Sequence, residues 1–332
     1  MNKRRKLIIA LGAGALAAPF GSFAQQQGKV WRVGVLSPRS RPSSLESDPQ
    51  LGGLLKGLRE LGYVEGKNLI IEWRFVDGKY ERFPALAAEL IQFKADVIVT
   101  GGPTATSAAQ KATTTIPIVA FNLGDPVAGG FAKSLARPGG NITGFSNFVI
   151  DIGPKQLEML LDMVPKLSRV AVLMNPTNVA HASNLKAIQA AAQRTGVTIL
   201  PAEARTVPEL DQAFSAMVRA KAGALIAMGG DALVIENPRI IAELAMKHRL
   251  PSIALGRAVP EAGGLMSYGA ITSENFLRMA IYVDKILKGA KASDLPIEQP
   301  TKFELVINGK TAKTLGLKIP YSLQIMADKV IE

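Results

Sequence analysis

The sequence predicts two α/β domains in tandem, each a doubly wound (Rossmann-like) parallel sheet, on three observations. Strand-length apolar runs alternate with amphipathic helices along the whole chain. The runs are apolar on both faces, as in Asp96 to Thr100 (DVIVT) and Arg169 to Met174 (RVAVLM). The series also starts again near the middle of the chain. Strands with no polar face need helices on both sides of the sheet, and that is the parallel α/β arrangement.

In the first series Val30 to Leu36 is a strand. Leu51, Leu54, Leu55, Leu58 and Leu61 recur at helical spacing, and Gly62 ends that helix. Leu69 to Phe75 alternates as a second strand, Pro84 to Ile91 is an apolar-faced helix, and Asp96 to Thr100 is a buried strand. A short helix from Thr104 and strands at Ile116 to Phe121 and Asn141 to Phe145 follow. The second series opens at Arg169 to Met174. Helices across His181 to Thr195, Pro208 to Ala220 and Pro238 to His248 then alternate with strands at Val197 to Pro201, Ala224 to Met228 and Ser252 to Leu255. A less regular tail holds strands Leu265 to Tyr268 and Phe303 to Ile307, a long helix Ser273 to Leu287, and a short one at Thr311 to Leu315.

The N-terminus reads as an export signal. Lys3, Arg4, Arg5 and Lys6 precede an apolar stretch from Leu7 to Phe20, and Ser22-Phe23-Ala24 fits signal peptidase, which places cleavage after Ala24. The apolar stretch falls short of the ~20 residues of a membrane span. The Arg4-Arg5 pair is compatible with the twin-arginine route as well as the general one. With no cysteine, the fold needs no disulfide and has no lipid-anchor site, so a free periplasmic protein is expected. Four bases of the +12 net charge leave with the signal, and the remaining +8 is spread along the chain with few aromatics between. That pattern is a solvated surface, and no nucleic-acid partner is expected.

Ligands of open parallel sheets bind beyond the carboxyl ends of the strands. Four loops lie there. Gly101-Gly102-Pro103-Thr104-Ala105-Thr106 opens a helix, where free N–H groups and hydroxyls suit a carboxylate or phosphate, or where a threonine simply caps the helix. Asn122-Leu123-Gly124-Asp125-Pro126 offers a carboxylate that can take an ammonium or cap a turn. Asn175-Pro176-Thr177-Asn178 and Gly229-Gly230-Asp231 hold the matching positions in the second series. Enzyme signatures fail. Gly309-Lys310-Thr311 has Glu304 where a P-loop needs glycine, and neither H-E-x-x-H nor G-x-S-x-G occurs. His181 and His248 are far apart in sequence, and there is no cysteine to join them at a zinc. No catalytic residue, metal or cofactor is expected.

Three runs carry a family resemblance: Gly124 to Ser146 (GDPVAGGFAKSLARPGGNITGFS), Glu261 to Gly269 (EAGGLMSYG) and Gln299 to Pro320 (QPTKFELVINGKTAKTLGLKIP). Together they resemble periplasmic substrate-binding proteins of ABC transporters, in the branch with tryptophan- and tyrosine-type binders. The resemblance implies the class I periplasmic-binding fold, two lobes joined by three crossovers and closing by a hinge. It implies crossovers near Phe148, Thr272 and Lys302. The N-terminal lobe would be 30–148 plus 273–302, and the C-terminal lobe 149–272 plus 303–332. It further implies that Thr104, Ala105 and Thr106 meet a ligand carboxylate, that Asp125 and Asp231 meet an ammonium, and that Asn175 and Tyr268 complete the site. The implied partners are a small metabolite, an amino acid or related small carboxylate, and an inner-membrane ABC permease with its cytoplasmic ATPase; the protein would act as a monomer and not as an enzyme. Only 6% of residues are aromatic, and Trp31 and Trp73 fall in predicted strands as core residues. Aromatic amino acids, branched amino acids and aromatic carboxylates are all candidate ligands. A sensory binding protein docking on a receptor or kinase would share this fold, and an exported enzyme would use Asp125 and Asp231 as an acid–base pair.

Overall fold

Two sheets organise the chain. The computed structural model describes residues 29–146, 149–271 and 273–332. The predicted signal with its cleavage point at Ala24, and the crossovers placed at Phe148 and Thr272, lie outside these residues. Residues Trp31–Glu332 form one compact unit.

Five of the six strands of the first sheet come in succession, all parallel: β1 (Trp31–Ser37), β2 (Leu69–Phe75), β3 (Val97–Gly101), β4 (Ile118–Phe121) and β5 (Ile142–Phe145). Three helices join them, α1 (Leu51–Glu60), α2 (Phe83–Gln92) and α3 (Pro103–Ala112). Alternation along β1 and β3 sends Val33, Val35, Val97 and Val99 to the α1 side and Leu36 and Ile98 to the α2–α3 side, and each side forms its own buried cluster. This double burial is what the unbroken apolar runs encode.

The chain then passes to the second sheet. Here α4 (Val149–Met163) leads into β6 (Arg169–Met174), α5 (His181–Gln193), β7 (Thr198–Glu203), α6 (Val207–Arg219) and β8 (Ala224–Ala227). Next come α7 (Ala232–Glu236), α8 (Pro238–Lys247), β9 (Ser252–Ala254), α9 (Ala258–Glu261) and β10 (Met266–Ala270). Helix α4 is not among the helices that the sequence pattern predicts. Pro154 sits inside it and interrupts the pattern by which helices are recognised.

From β10 the chain returns to the first sheet. Helix α10 (Ser273–Leu287) packs on α1, and the two-residue β11 (Ile297–Glu298) pairs with β5. A last passage leads to β12 (Phe303–Asn308), α11 (Gly309–Leu315), α12 (Tyr321–Met326) and β13 (Lys329–Ile331) on the second sheet. The sheet orders are β11-β5-β4-β3-β1-β2 and β13-β12-β10-β9-β8-β6-β7. One departure from the parallel pattern is β12, which runs antiparallel to β10. The outgoing and returning passages lie side by side, with the Ile271 N–H donating to the Lys302 carbonyl at 3.0 Å. A strand that enters where β10 ends has to run the other way. The remaining passage is tied in as well, by Ser146 N–H to the Glu298 carbonyl at 2.8 Å.

Close approach of α1 and α10 depends on Gly57. A Cβ there would stand 2.6 Å from the Ala280 Cβ and 2.9 Å from the Leu277 carbonyl oxygen. This contact sets where Phe276 and Met279 of α10 sit. Gly57→Val is expected to lower stability by about 1–3 kcal/mol in chemical denaturation, with partial recovery on adding Ala280→Gly. A denaturation midpoint equal to that of the wild type would contradict the close packing.

Candidate functional site

Strand ends from both sheets meet at one cleft. On one side stand Ser37-Pro38-Arg39 after β1, Gly101-Gly102 after β3 and Phe121-Asn122 after β4; on the other stand Gly229-Gly230 after β8 and Leu255-Gly256 after β9. Between them lies a narrow cavity of about 50 Å³, walled on the first-sheet side by Val35, Leu54, Val99, Phe276 and Met279. A wider chamber of about 210 Å³ adjoins it, walled by Val234, Leu255 and Val259 of the second sheet's side. Gln50, Phe121, Asn122, Gly230 and Ile235 line both. Two conformations make the closeness possible. Gly102 has φ +88° ahead of α3, and Gly230 has φ +77°, where a Cβ would come within 3.0 Å of the Asn122 Nδ2.

Arg39 is the charged group of these walls. Its Nη2 and Nη1 hold both Asp48 carboxylate oxygens at 2.7 and 3.2 Å, and Nη1 also donates to Gln50 Oε1 at 3.0 Å. Its Nε is buried and makes no hydrogen bond to any described residue. Asp48 also accepts from the Gln50 and Leu51 N–H groups at the start of α1, at 3.0 and 2.9 Å. Burial alone would push the Asp48 carboxyl up, but Arg39 and these N–H groups outweigh it and hold the pKa below its usual value.

Hydrogen bonds and an ion pair cross the cleft, among them Ala232 N–H to Tyr80 Oη at 3.5 Å and the Arg39 Nε–Glu236 Oε1 pair at 3.8 Å. Tyr80 Oη donates to Asp231 Oδ2 at 2.8 Å. Ser40 gives its N–H to Glu236 Oε1 at 2.6 Å and its hydroxyl to Oε2 at 3.1 Å. Val179 N–H donates to Thr104 Oγ1 at 3.3 Å. Asp231 is 1% exposed and saturated: beyond Tyr80 it accepts from Asn175 Nδ2 at 3.1 Å and, as the N-cap of α7, from Leu233 N–H at 3.0 Å. Burial, then the Asp231 charge, push the Tyr80 pKa far above its usual value, so it stays a donor.

Behind Asp231 lies His181, also 1% exposed. Its Nδ1 accepts from the Asn175 N–H at 2.9 Å, which leaves Nε2 to donate to the Gly229 carbonyl at 3.2 Å. Burial lowers its pKa and outweighs the Asp231 charge and the Gly229 carbonyl, which act in the opposite direction.

The residues singled out from the sequence are dispersed around this cleft. Asn175 and Asp231 come together, and Thr104 bridges to Val179. Ala105 and Thr106 are fully buried; Thr106 Oγ1 meets Thr100 Oγ1 and the Gly102 carbonyl, both at 2.8 Å, and fixes the glycine loop. Asp125 is exposed and caps the N–H groups of Val127 and Ala128 at 2.9 and 3.0 Å. Tyr268 stacks on Phe303 at 5.9 Å beside the passages between the sheets. None of the seven lines either cavity. Arg39 and Gln50, which do, were not selected from the sequence. A loop after the first strand that holds an arginine was the available signal, by the same strand-end rule that drew attention to the other loops.

Two substitutions test this network. Tyr80→Phe leaves the Asp231 carboxylate short of a donor and is expected to destabilise the protein by about 1.5–3 kcal/mol in denaturant titration; an unchanged midpoint would contradict the bridge. For His181 the folded pKa is depressed, so below about pH 6.5 the unfolded chain binds a proton that the folded chain resists. Its contribution is therefore complete above that pH and falls as the medium is acidified. His181→Gln is expected to flatten the stability profile between about pH 7 and 5, and a slope equal to wild type would refute the assignment. Asp48, with its lowered pKa, acts only in a more acidic window.

Comparison with known proteins agrees with this architecture. A tyrosine-binding protein of Clostridioides difficile is 26% identical over 333 residues, covering 96% of this chain and 94% of that protein. A conserved domain protein of Vibrio cholerae matches 91% of this chain and 100% of its own, at 27% identity and a TM-score of 0.81. The ABC domain in complex with L-Trp from Streptococcus pneumonia matches 91% and 99%, at 25% identity and a TM-score of 0.79. A ligand-free, open substrate-binding protein of Clostridium difficile, also 27% identical over 91% and 99%, reaches only 0.61. The family described as ABC transporter substrate binding protein, a family of solute binders and not of enzymes, matches residues 32–331, and the chain belongs to it.

Proposed function

We propose that this protein is exported to the periplasm, captures a small metabolite (an amino acid or related small carboxylate) between two lobes, and delivers it to an inner-membrane ABC permease. In this reading the signal is removed after Ala24, the lobes comprise 30–148 plus 273–302 and 149–272 plus 303–332, and the protein works as a monomer. The observation that carries the proposal is the paired cavity, whose walls come from strand ends of both sheets. A ligand held by both walls binds the closed form better than the open one, and closure advances by that difference in affinity. The relatives whose names specify tyrosine and L-Trp support a ligand of amino-acid size.

Direct contact falls to Arg39, Gln50, Phe121 and Asn122 and to the backbone at Gly102 and Gly230. Asp231, Asn175 and Thr104 act through closure, since their bonds span or support the cleft. Ala105, Thr106, Asp125 and Tyr268 shape the loops and the passages around it. The measurement is a thermal-shift screen of the purified protein against amino acids, carboxylates, nucleosides and sugars, followed by small-angle scattering with any stabilising compound. A stabiliser that also contracts the protein is expected, and Arg39→Ala should weaken its binding by about 1.5–3 kcal/mol. No stabiliser and an invariant scattering radius across the set would overturn the proposal.

A further inference from the structure

We infer that the ligand is a compact apolar or aromatic carboxylate that carries no ammonium group. The inference rests on the cleft being the ligand site. Its first support is the charge of the walls. Neither cavity is lined by an aspartate or glutamate; Arg39 is the charged lining residue of the narrow cavity, and the wider chamber has none. The carboxylates nearby already have partners. Asp48 is held by Arg39 and two N–H groups, Glu236 by Ser40 and by the Arg39 charge at 3.8 Å, and Asp231 by Tyr80, Asn175 and Leu233. Asp125 caps its own turn and stands outside the cavities. An ammonium brought into this space would lose its water and find no anion among the lining residues, which disfavours it.

The second support is hydrogen-bond polarity. Arg39 Nε is a buried donor with no hydrogen bond to a described residue, its nearest recorded anion being Glu236 Oε1 at 3.8 Å. Gln50 spends its carbonyl on Arg39 and so keeps its amide donors for the cavity it lines. Gly102 opens the ten-residue helix α3, whose N-terminal dipole favours negative charge. The Gln50 amide and Arg39 Nε are donors on one wall, and a carboxylate is a compact group that satisfies several donors at once. The rest of the space is apolar, from Val35, Leu54, Val99, Phe276 and Met279 on one side to Leu255 on the other. That suits a ring or a branched chain.

The test uses matched pairs that differ only in the amine: L-phenylalanine with 3-phenylpropanoate, L-tyrosine with 3-(4-hydroxyphenyl)propanoate, and L-leucine with 4-methylpentanoate. Calorimetric titration of the purified protein is expected to give at least tenfold tighter binding for one deaminated acid than for its amino acid. Equal or tighter binding of the amino acids overturns the inference and leaves the solute-binding proposal intact. If no member of any pair binds, the inference falls too; a stabiliser elsewhere in the broad screen then keeps the solute-binding proposal, and none at all removes it. Asn122→Asp adds a second arm. Asn122 lies at φ +66°, a conformation that aspartate also adopts, and it lines both cavities. The new carboxylate is expected to shift the preference within a pair at least tenfold toward the amino acid. A ratio equal to wild type would show that the absent anion is not what excludes the amine.

Discussion

A carboxylate buried to 1% exposure needs several donors, and Asp231 draws them from both sides of the cleft. Asn175 and the Leu233 N–H come from the second sheet's side, while Tyr80 reaches over from a 3-10 turn packed on the first sheet's core beside Phe83. Stripping one donor from a buried charge costs more than an ordinary hydrogen bond is worth, so the two sides are coupled through this atom pair. Much else follows from that coupling. His181 is neutral and accepts from the Asn175 backbone, which fixes the loop that presents the Asn175 amide. Ser40 with Glu236 and Val179 with Thr104 close the same gap at other points. The two cavities exist because these contacts bring their walls together.

The bridge holds the walls, and the walls decide what fits. Arg39 is tied so fully to Asp48 and Gln50 that its guanidinium is positioned before any ligand arrives, and such preorganisation lowers the entropic cost of binding. Apolar packing of α10 on α1 carries Phe276 into contact with Phe121 at 4.1 Å between ring centroids, which forms a hydrophobic end opposite the donors. A polar grip at one end and an apolar slot at the other is the usual division of labour in a small-molecule site.

Most of this fold was legible because both faces of each sheet are covered. Runs such as DVIVT, short, β-branched and apolar on both faces, read as doubly buried strands, and the restart at Arg169 marked the second sheet. Helix α4 escaped because Pro154 breaks its pattern, and β13 because three residues carry no periodicity. The antiparallel β12 depends on two passages lying side by side, a long-range fact that no local pattern holds. The strand-end rule led to the end of both sheets where the two cavities lie, and Gly101, Gly102, Asn122, Gly229 and Gly230 of the selected loops line them. It did not tell which side chain of a loop turns inward. Thr106 points to the core and Asp125 to its own turn because each finds nearer partners there, and Arg39 enters the wall through Asp48, nine residues on.

The account turns on a ligand held between the strand ends of both sheets, and a crystal structure with the best binder of the screen tests it most directly. The expected result is ligand density bounded by Arg39, Asn122, Gly102 and Gly230, its carboxylate toward Arg39, with Tyr80 still on Asp231. Density at any other place, or a ligand touching only one sheet's loops, would contradict it.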